Sequence, residues 1–274
     1  MNLALAQSTD LDDENRRDEA RQLRGRIRSG EHDGLTTGLA PGMVQLNLAI
    51  LPQDWAEDFQ RFCELNPKPC PLVSMTDPGN PVFPSEIGKG VDVRTDAPRY
   101  LVFRNGVLAD EITDLSDIWQ DDFVAFGMGC SYSFEEALVA GGLSLRHIEQ
   151  GTKVPLYISN METTPAGPFK GPTILSMRPF LPDDAIRAIE ITARYPRVHG
   201  TPVHFGNPEM IGIDDIMQPY SGVPPVMHKN EVPVFWACGV TPQIIVEHAK
   251  PPICITHKPG HMLITDSLNT ELTD

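Results

Sequence analysis

The stretch FGMGCSYSFEEAL, residues 126–138, sets the reading of this chain. An apolar run passes through Gly127 and Gly129, meets Cys130 and Ser131, and continues into residues at helical spacing. Strand, small-residue turn and helix, in that order, form a unit of α/β architecture. The turn also poses a chemical question. Cys130 can be a nucleophile on a sharp turn, or the free N–H groups of the helix start can hold an anion. A second stretch, FWACGVTPQ at residues 235–243, repeats the order. Cys238-Gly239 ends its apolar run, Thr241 suits an N-cap and Pro242 the first helical position. Either cysteine can equally be a small buried apolar side chain.

Working outward, residues 8–29 predict a polar helix, with Ser8 or Thr9 as cap and Gly30 as its end. TTGLAPGMVQLNLAILP predicts a turn and then a buried strand. PQDWAEDFQRFCELNP predicts a helix opened by Pro52, with Trp55, Phe59, Phe62 and Cys63 on one face. The span from Ser74 to Thr95 is rich in Pro, Gly and Asp and predicts a loop crossing between lobes. Asn105-Gly106, between two β-type runs, predicts a hairpin. Strands follow in VPLYISN, PTILSMRP, TPVHFGNPEMIGI and VPVFWACGV, and one broken by a turn in ICITHKPGHMLIT. LPDDAIRAIEITARYP predicts an amphipathic helix with Ile186, Ile189 and Ala193 on one side. The expected fold class is α/β and two-lobed, a three-layer α/β/α lobe with a smaller α+β lobe. Residues 20–75 plus 175–274 would form the main lobe, 76–174 the smaller one, and 1–19 a polar extension.

Composition narrows the function classes. The 274 residues carry a formal net charge of -15, which argues against a nucleic-acid partner, because phosphate contacts need a concentrated basic patch. A local pocket on an acidic protein can still be positive, so a small anionic substrate remains allowed. No apolar run reaches the length of a membrane helix, and the start lacks a signal-peptide pattern. Five scattered cysteines without a CxxC pair suggest neither a disulfide framework nor a zinc ribbon, and fit a reduced, cytoplasmic protein. The oligomeric state stays open, a homo-oligomer included.

Further candidates come from three stretches. In THKPGHM, His257 and His261 are four apart, but Pro259 and Gly260 make this a turn and remove the helical argument for a metal. No metal site and no cofactor are expected, since HExxH, Walker A and a well-placed GxGxxG are all lacking. Arg178 follows the apolar run TILSM and precedes Pro179, which places it at a strand end. There it suits bidentate carboxylate binding, or else a structural salt bridge. His204 stands in an apolar strand, as a core histidine or a catalytic one.

Eight blocks in order point to a family. They are IRSGEHDGLTTGLAPGMVQLNLAILP, FCELNPKPCPL, RTDAPRYLVFRNG, DDFVAFGMGCSYSFEEAL, NMETTPAGPFKGPTILSMRP, ARYPRVHGTPVHFG, VPVFWACGVTPQ and ITHKPGHMLITD. Through these the chain resembles the hydro-lyase family related to D-glutamate cyclase, over almost all residues after the first twenty. The resemblance implies a two-lobed α/β fold and a carbon–oxygen lyase. The implied reaction is loss of water from D-glutamate to give 5-oxo-D-proline. Such relatives often carry a Cys where this chain has Thr163, so a thiol mechanism at that position is not available here.

Ring closure needs a neutral amine, an activated side-chain carboxyl and a held α-carboxylate. The helix-start N–H groups over Ser131–Ser133, together with Arg178, Cys238 and Thr241, are the expected substrate-binding set. His257, His261 or His204 would transfer protons, and Cys130 remains a catalytic candidate, although its turn reads better as an anion cradle. Two other readings use the same residues: a hydroxy-acid dehydratase, and a non-enzymatic binding protein for an acidic metabolite.

Overall fold

The computed structural model describes residues 13–273. Strand β1 (Met43–Pro52) lies inside the larger sheet, and its sequence explains why. Successive side chains point to opposite faces of a strand. Val44, Leu46, Leu48 and Ile50 enter one core, Ala49 and Leu51 another. Both faces are therefore buried, which is why the run reads as nearly continuous. One edge of β1 pairs with β5 (Phe123–Gly129). The other edge is shared. β11 (Leu263–Leu268) pairs near Met43–Leu46, and β10 (Cys254–His257) pairs at Ala49 and Ile50. With β2 (Leu72–Met75), β3 (Tyr100–Arg104) and β4 (Val107–Ile112) the order is β2-β5-β1-β10-β3-β4. The expected hairpin joins β3 to β4. Asn105 and Gly106 have φ of 53° and 79°, the two positive values that a tight turn between twisted antiparallel strands requires.

A second sheet contains β6 (Leu156–Glu162), β7 (Pro172–Phe180), β8 (His204–Phe205) and β9 (Val232–Ala237), in the order β6-β7-β9-β8. The strand pairings in both sheets are antiparallel. Helices cover both faces of the larger sheet. α1 (Asp13–Arg28) sets Ala20, Leu23 and Ile27 against Ile264 and Leu268. α2 (Gln53–Leu65) packs Phe59, Phe62 and Cys63 around Phe126 on one face. On the other face lie α3 (Tyr132–Ala140), a short α4 (Arg146–Glu149) and α5 (Pro182–Thr192); Phe134, Leu138, Ala185 and Ala188 enter the core there. α6 (Thr241–Ala249) returns to the α2 side through Ile245 and Val246. The mixed α/β architecture matches the expectation. The core that contains β1 also contains Phe180, Val234 and Trp236 of the second sheet, so the two sheets share it.

Several expectations are corrected. The sheets do not follow the expected lobe boundaries, since β3, β4 and β5 hydrogen-bond into the same sheet as β1, β2 and β10. Residues 76–95 therefore join strands of one sheet and do not cross between sheets. α5 buries Ala185, Ala188 and Thr192 and leaves Ile186 58% exposed. Its buried stripe is small because it packs closely on α3 and β7. TPVHFGNPEMIGI keeps only His204–Phe205 as strand, because Pro208 opens a 3-10 turn. The proposed caps Ser8 and Thr9 lie outside the described residues. Among the described residues no helix is long and apolar enough to cross a membrane.

Two glycines with opposite surroundings test the packing. A Cβ on Gly129 would sit 2.3 Å from the Arg197 carbonyl oxygen, which is backbone and cannot swing away. Gly129→Ala is expected to cost about 1–3 kcal/mol. Gly25 is exposed in α1 with nothing within 4 Å of a new Cβ, so Gly25→Ala should stabilise by up to about 1 kcal/mol. Urea unfolding of both variants checks the pair.

Candidate active site

Each of the two repeated turns follows a strand of a different sheet. β5 of the larger sheet leads through Gly129, Cys130 and Ser131 into α3. β9 of the second sheet leads through Cys238, Gly239 and Val240 into α6. The turns meet at Asn47 of β1. Its Nδ2 donates to the Gly129 carbonyl at 2.9 Å, and a Cβ on Gly239 would lie 2.1 Å from the same nitrogen. Only a glycine leaves room for that amide. Cys130, Ser131, Cys238, His257, Asn47, Tyr132 and Lys153 thus line one cleft.

The cleft encloses about 40 Å3, room for about three waters. A neighbouring chamber of about 190 Å3, under residues 35–43, shares Tyr132 and Lys153 with it.

Both thiols are held in the same way. Burial pushes Cys130 up to about 12 and Cys238 up to about 11. The backbone N–H of Tyr132 works against the rise at Cys130, and that of Val240 against the rise at Cys238. Of the helix-start donors expected to cradle a substrate anion, the Ser133 N–H is committed to the Cys130 carbonyl at 3.1 Å.

His257 has an unexpected state. The Leu48 N–H donates to its Nδ1 at 3.1 Å, so the proton of the neutral ring resides on Nε2. Burial lowers its pKa to about 4, which keeps the ring neutral at pH 7. Among the described residues Nε2 is buried without a partner. His257, which lines the cleft, is therefore a fixed N–H donor where the sequence suggested a base.

The other expected residues divide. His261 sits beside the cleft with Nδ1 3.3 Å from the Pro259 carbonyl, and burial lowers its pKa. His204 is not brought in, and its Nε2 lies 2.8 Å from the Asn207 carbonyl. Thr241 is fully buried; its hydroxyl donates to the Cys238 carbonyl at 2.7 Å and ties the turn to α6. Ser133 lines a different groove, with Arg187 and Tyr195. Thr163 joins β6 to β7, its Oγ1 donating to the Gly171 carbonyl at 2.8 Å.

Arg178 is the largest correction. It lies within β7, opposite Val234, and Pro179 continues the strand. Only 1% exposed, it is not open to a substrate. Its Nε donates to Glu135 Oε1 at 3.0 Å, Nη2 donates to the same oxygen and to Ser131 at 3.1 Å, and Nη1 to Ser176 at 3.1 Å. Phe134 and Trp236 each present a ring 5.3 Å from the guanidinium carbon. His147 Nε2 is 3.0 Å from Glu135 Oε1. Burial alone would raise the Glu135 pKa, but His147 and Arg178 outweigh it and hold the carboxyl at about 2.

Sequence reasoning missed Asn47, Lys153 and Glu135. A polar residue inside the apolar run VQLNLAILP was a usable signal for Asn47. Lys153, in irregular chain before β6, gave none, and among the described residues it has no ionic or hydrogen-bond partner. Among those residues no three His, Cys, Asp or Glu side chains gather as a metal site.

Comparison with known proteins agrees with the resemblance. The pattern of a family described as D-glutamate cyclase matches residues 124–266. A Bordetella petrii protein named "Putative hydro-lyase" is 56% identical over 253 residues, 92% of this chain and 96% of that one. A Verminephrobacter eiseniae protein of the same name is 55% identical over 93% of this chain and 92% of its own. A Bradyrhizobium relative is 57% identical over 86% and 87%. A crystal structure of a nitrogen repressor-like protein from Methanococcus jannaschii aligns at 9% identity over 86% of this chain and 90% of that one. Its TM-score is 0.35, too distant to argue from.

The Glu135–Arg178 pair makes two predictions. Arg178→Met strands a buried carboxylate and should cost about 3–5 kcal/mol in urea unfolding. Glu135 is depressed from 4.5 to about 2 in the folded protein, so its contribution is fully present above pH 4.5 and is lost as pH falls toward 2. Glu135→Gln should flatten the stability-against-pH curve within that window.

Proposed function

Because the chain belongs to the D-glutamate cyclase family of hydro-lyases, we propose that it removes water from an acidic amino acid, with D-glutamate closing to 5-oxo-D-proline as the reaction. The observation that carries this reading is one cleft with two unused donors, the Lys153 ammonium and the His257 Nε2–H. Five-carbon diacids need two anchors, one for each carboxyl group. Lys153 suits the α-carboxylate. A neutral, fixed His257 suits the γ-carboxyl, because a donor already in place stabilises the oxyanion that forms when the amine attacks.

The proton balance is favourable. Both protons that leave the ammonium nitrogen end on the departing oxygen as water, so the step needs no net acid or base. What the protein supplies is orientation, with amine and carboxyl held in ring-closing contact, and a site drier than bulk water. The 190 Å3 chamber beside the cleft provides the volume that the cleft lacks, and Tyr132 and Lys153 stand between the two.

Incubation with D- and L-glutamate, followed by NMR, tests this directly. 5-Oxoproline is expected from the D enantiomer, and no lactam from either would sink the reading. Lys153→Met should lose one charge-assisted contact, about 1.5–3 kcal/mol or roughly ten- to a hundredfold in kcat/KM. Its melting temperature should stay at the wild-type value, since Lys153 braces nothing.

A further inference from the structure

Loss of water from glutamate gives no role to a pair of thiols, yet two are built into the cleft by the same construction. Each cysteine directly follows the last residue of a strand and stands two or three residues before a nine-residue helix. Each has a glycine neighbour that permits close approach, Gly129 against Arg197 and Gly239 against Asn47. They follow strands of different sheets and border one cleft. Cys63, Cys70 and Cys254 provide the contrast. These three pack into the aromatic core around Phe59 and Phe62 and line no part of the cleft. A third group points to a ligand in the same cleft: His257, 1% exposed, lines it, and among the described residues its Nε2 has no partner.

We propose that Cys130 and Cys238 form a two-thiol acid–base pair at the Cα of an acidic amino acid or its lactam, giving this protein a Cα-inverting activity. The inference rests on the reading of the cleft as the site of such a substrate. One cysteine, as thiolate, takes the Cα proton and becomes a thiol. The electron pair left on Cα delocalises into the adjoining α-carboxyl group, whose growing negative charge meets the Lys153 ammonium, while the His257 Nε2–H holds the far carboxyl. The other cysteine, as thiol, delivers its proton to the opposite face of Cα and becomes the thiolate. The substrate is inverted, the two sulfurs have exchanged protonation states, and no oxidant, reductant or cofactor is consumed.

The electrostatics suit this use. A Cα–H is a very weak acid, so its base must be strong, and a thiolate out of water is a stronger base than one in water. The helix that begins just beyond each cysteine favours whichever of them carries the charge. Two comparable environments are what a pair needs if either member is to serve as base, depending on the substrate enantiomer.

The test is hydrogen exchange in D2O, with wild-type protein and both enantiomers of glutamate, aspartate and 5-oxoproline. NMR reads deuterium at Cα and chiral chromatography reads configuration. At early times the inverted product should carry deuterium while recovered substrate keeps protium, the mark of two separate thiols. Cys130→Ser and Cys238→Ser should each slow inversion by about 100-fold or more, with unchanged melting temperatures. The idea is overturned if no substrate in this set gains deuterium at Cα, if recovered substrate exchanges as fast as product, or if inversion survives either substitution. Lactam formation without Cα exchange would remove this inference and leave the ring-closing reading intact. Cα exchange without lactam would do the reverse.

Discussion

The ion pair between Arg178 and Glu135 is the constraint on which the rest of the molecule depends. Arg178 belongs to the second sheet; Glu135 and Ser131 belong to the helix that leaves the first. One guanidinium thus ties the two sheets together, between the rings of Phe134 and Trp236. In so dry a place neither charge can do without the other, since an unpaired buried ion costs several kcal/mol. The pair fixes where α3 begins and hence where Cys130 stands relative to Cys238. Thr241 performs the matching task on the other turn, where its hydroxyl holds the Cys238 carbonyl and accepts from the Ile174 N–H at 3.2 Å.

With the sheets locked, the chemistry of the cleft follows from small residues and from burial. Glycines beside both cysteines allow backbone and amide to approach within distances that no Cβ would tolerate. The same tight packing excludes water and decides protonation. His257 loses its basicity to burial and its Nδ1 lone pair to the Leu48 N–H, and becomes a donor. A residue type usually associated with proton transfer is thereby converted into an electrostatic one.

Charge works on two scales in this protein. The chain as a whole is strongly acidic, at -15. At the cleft the local balance is reversed, because among the described residues no carboxylate lines it and Lys153 has no acidic partner, while the buried Glu135 is paired with Arg178. An anionic ligand responds to the local field within a Debye length and hardly to the distant surface.

The sequence by itself determined the elements and the two turns. The apolar run of β1, Asn105-Gly106 and the Gly/Pro punctuation around each helix are local signals, so β1, the β3–β4 hairpin and α3 were legible. Cys130, Cys238 and His257 were legible as candidates for the same reason, since each sits where an apolar run stops. Only the tertiary structure decided their roles. Arg178 looked like a strand-end ligand because Pro179 suggested a turn, but pairing with β9 carries the strand through that proline, and Glu135, 43 positions away, claims the guanidinium. Lys153 and Asn47 became site residues through contacts with chain far away in sequence. Local propensity acts over a few residues, whereas burial, partner choice and protonation are set by whatever the fold brings within a few ångströms.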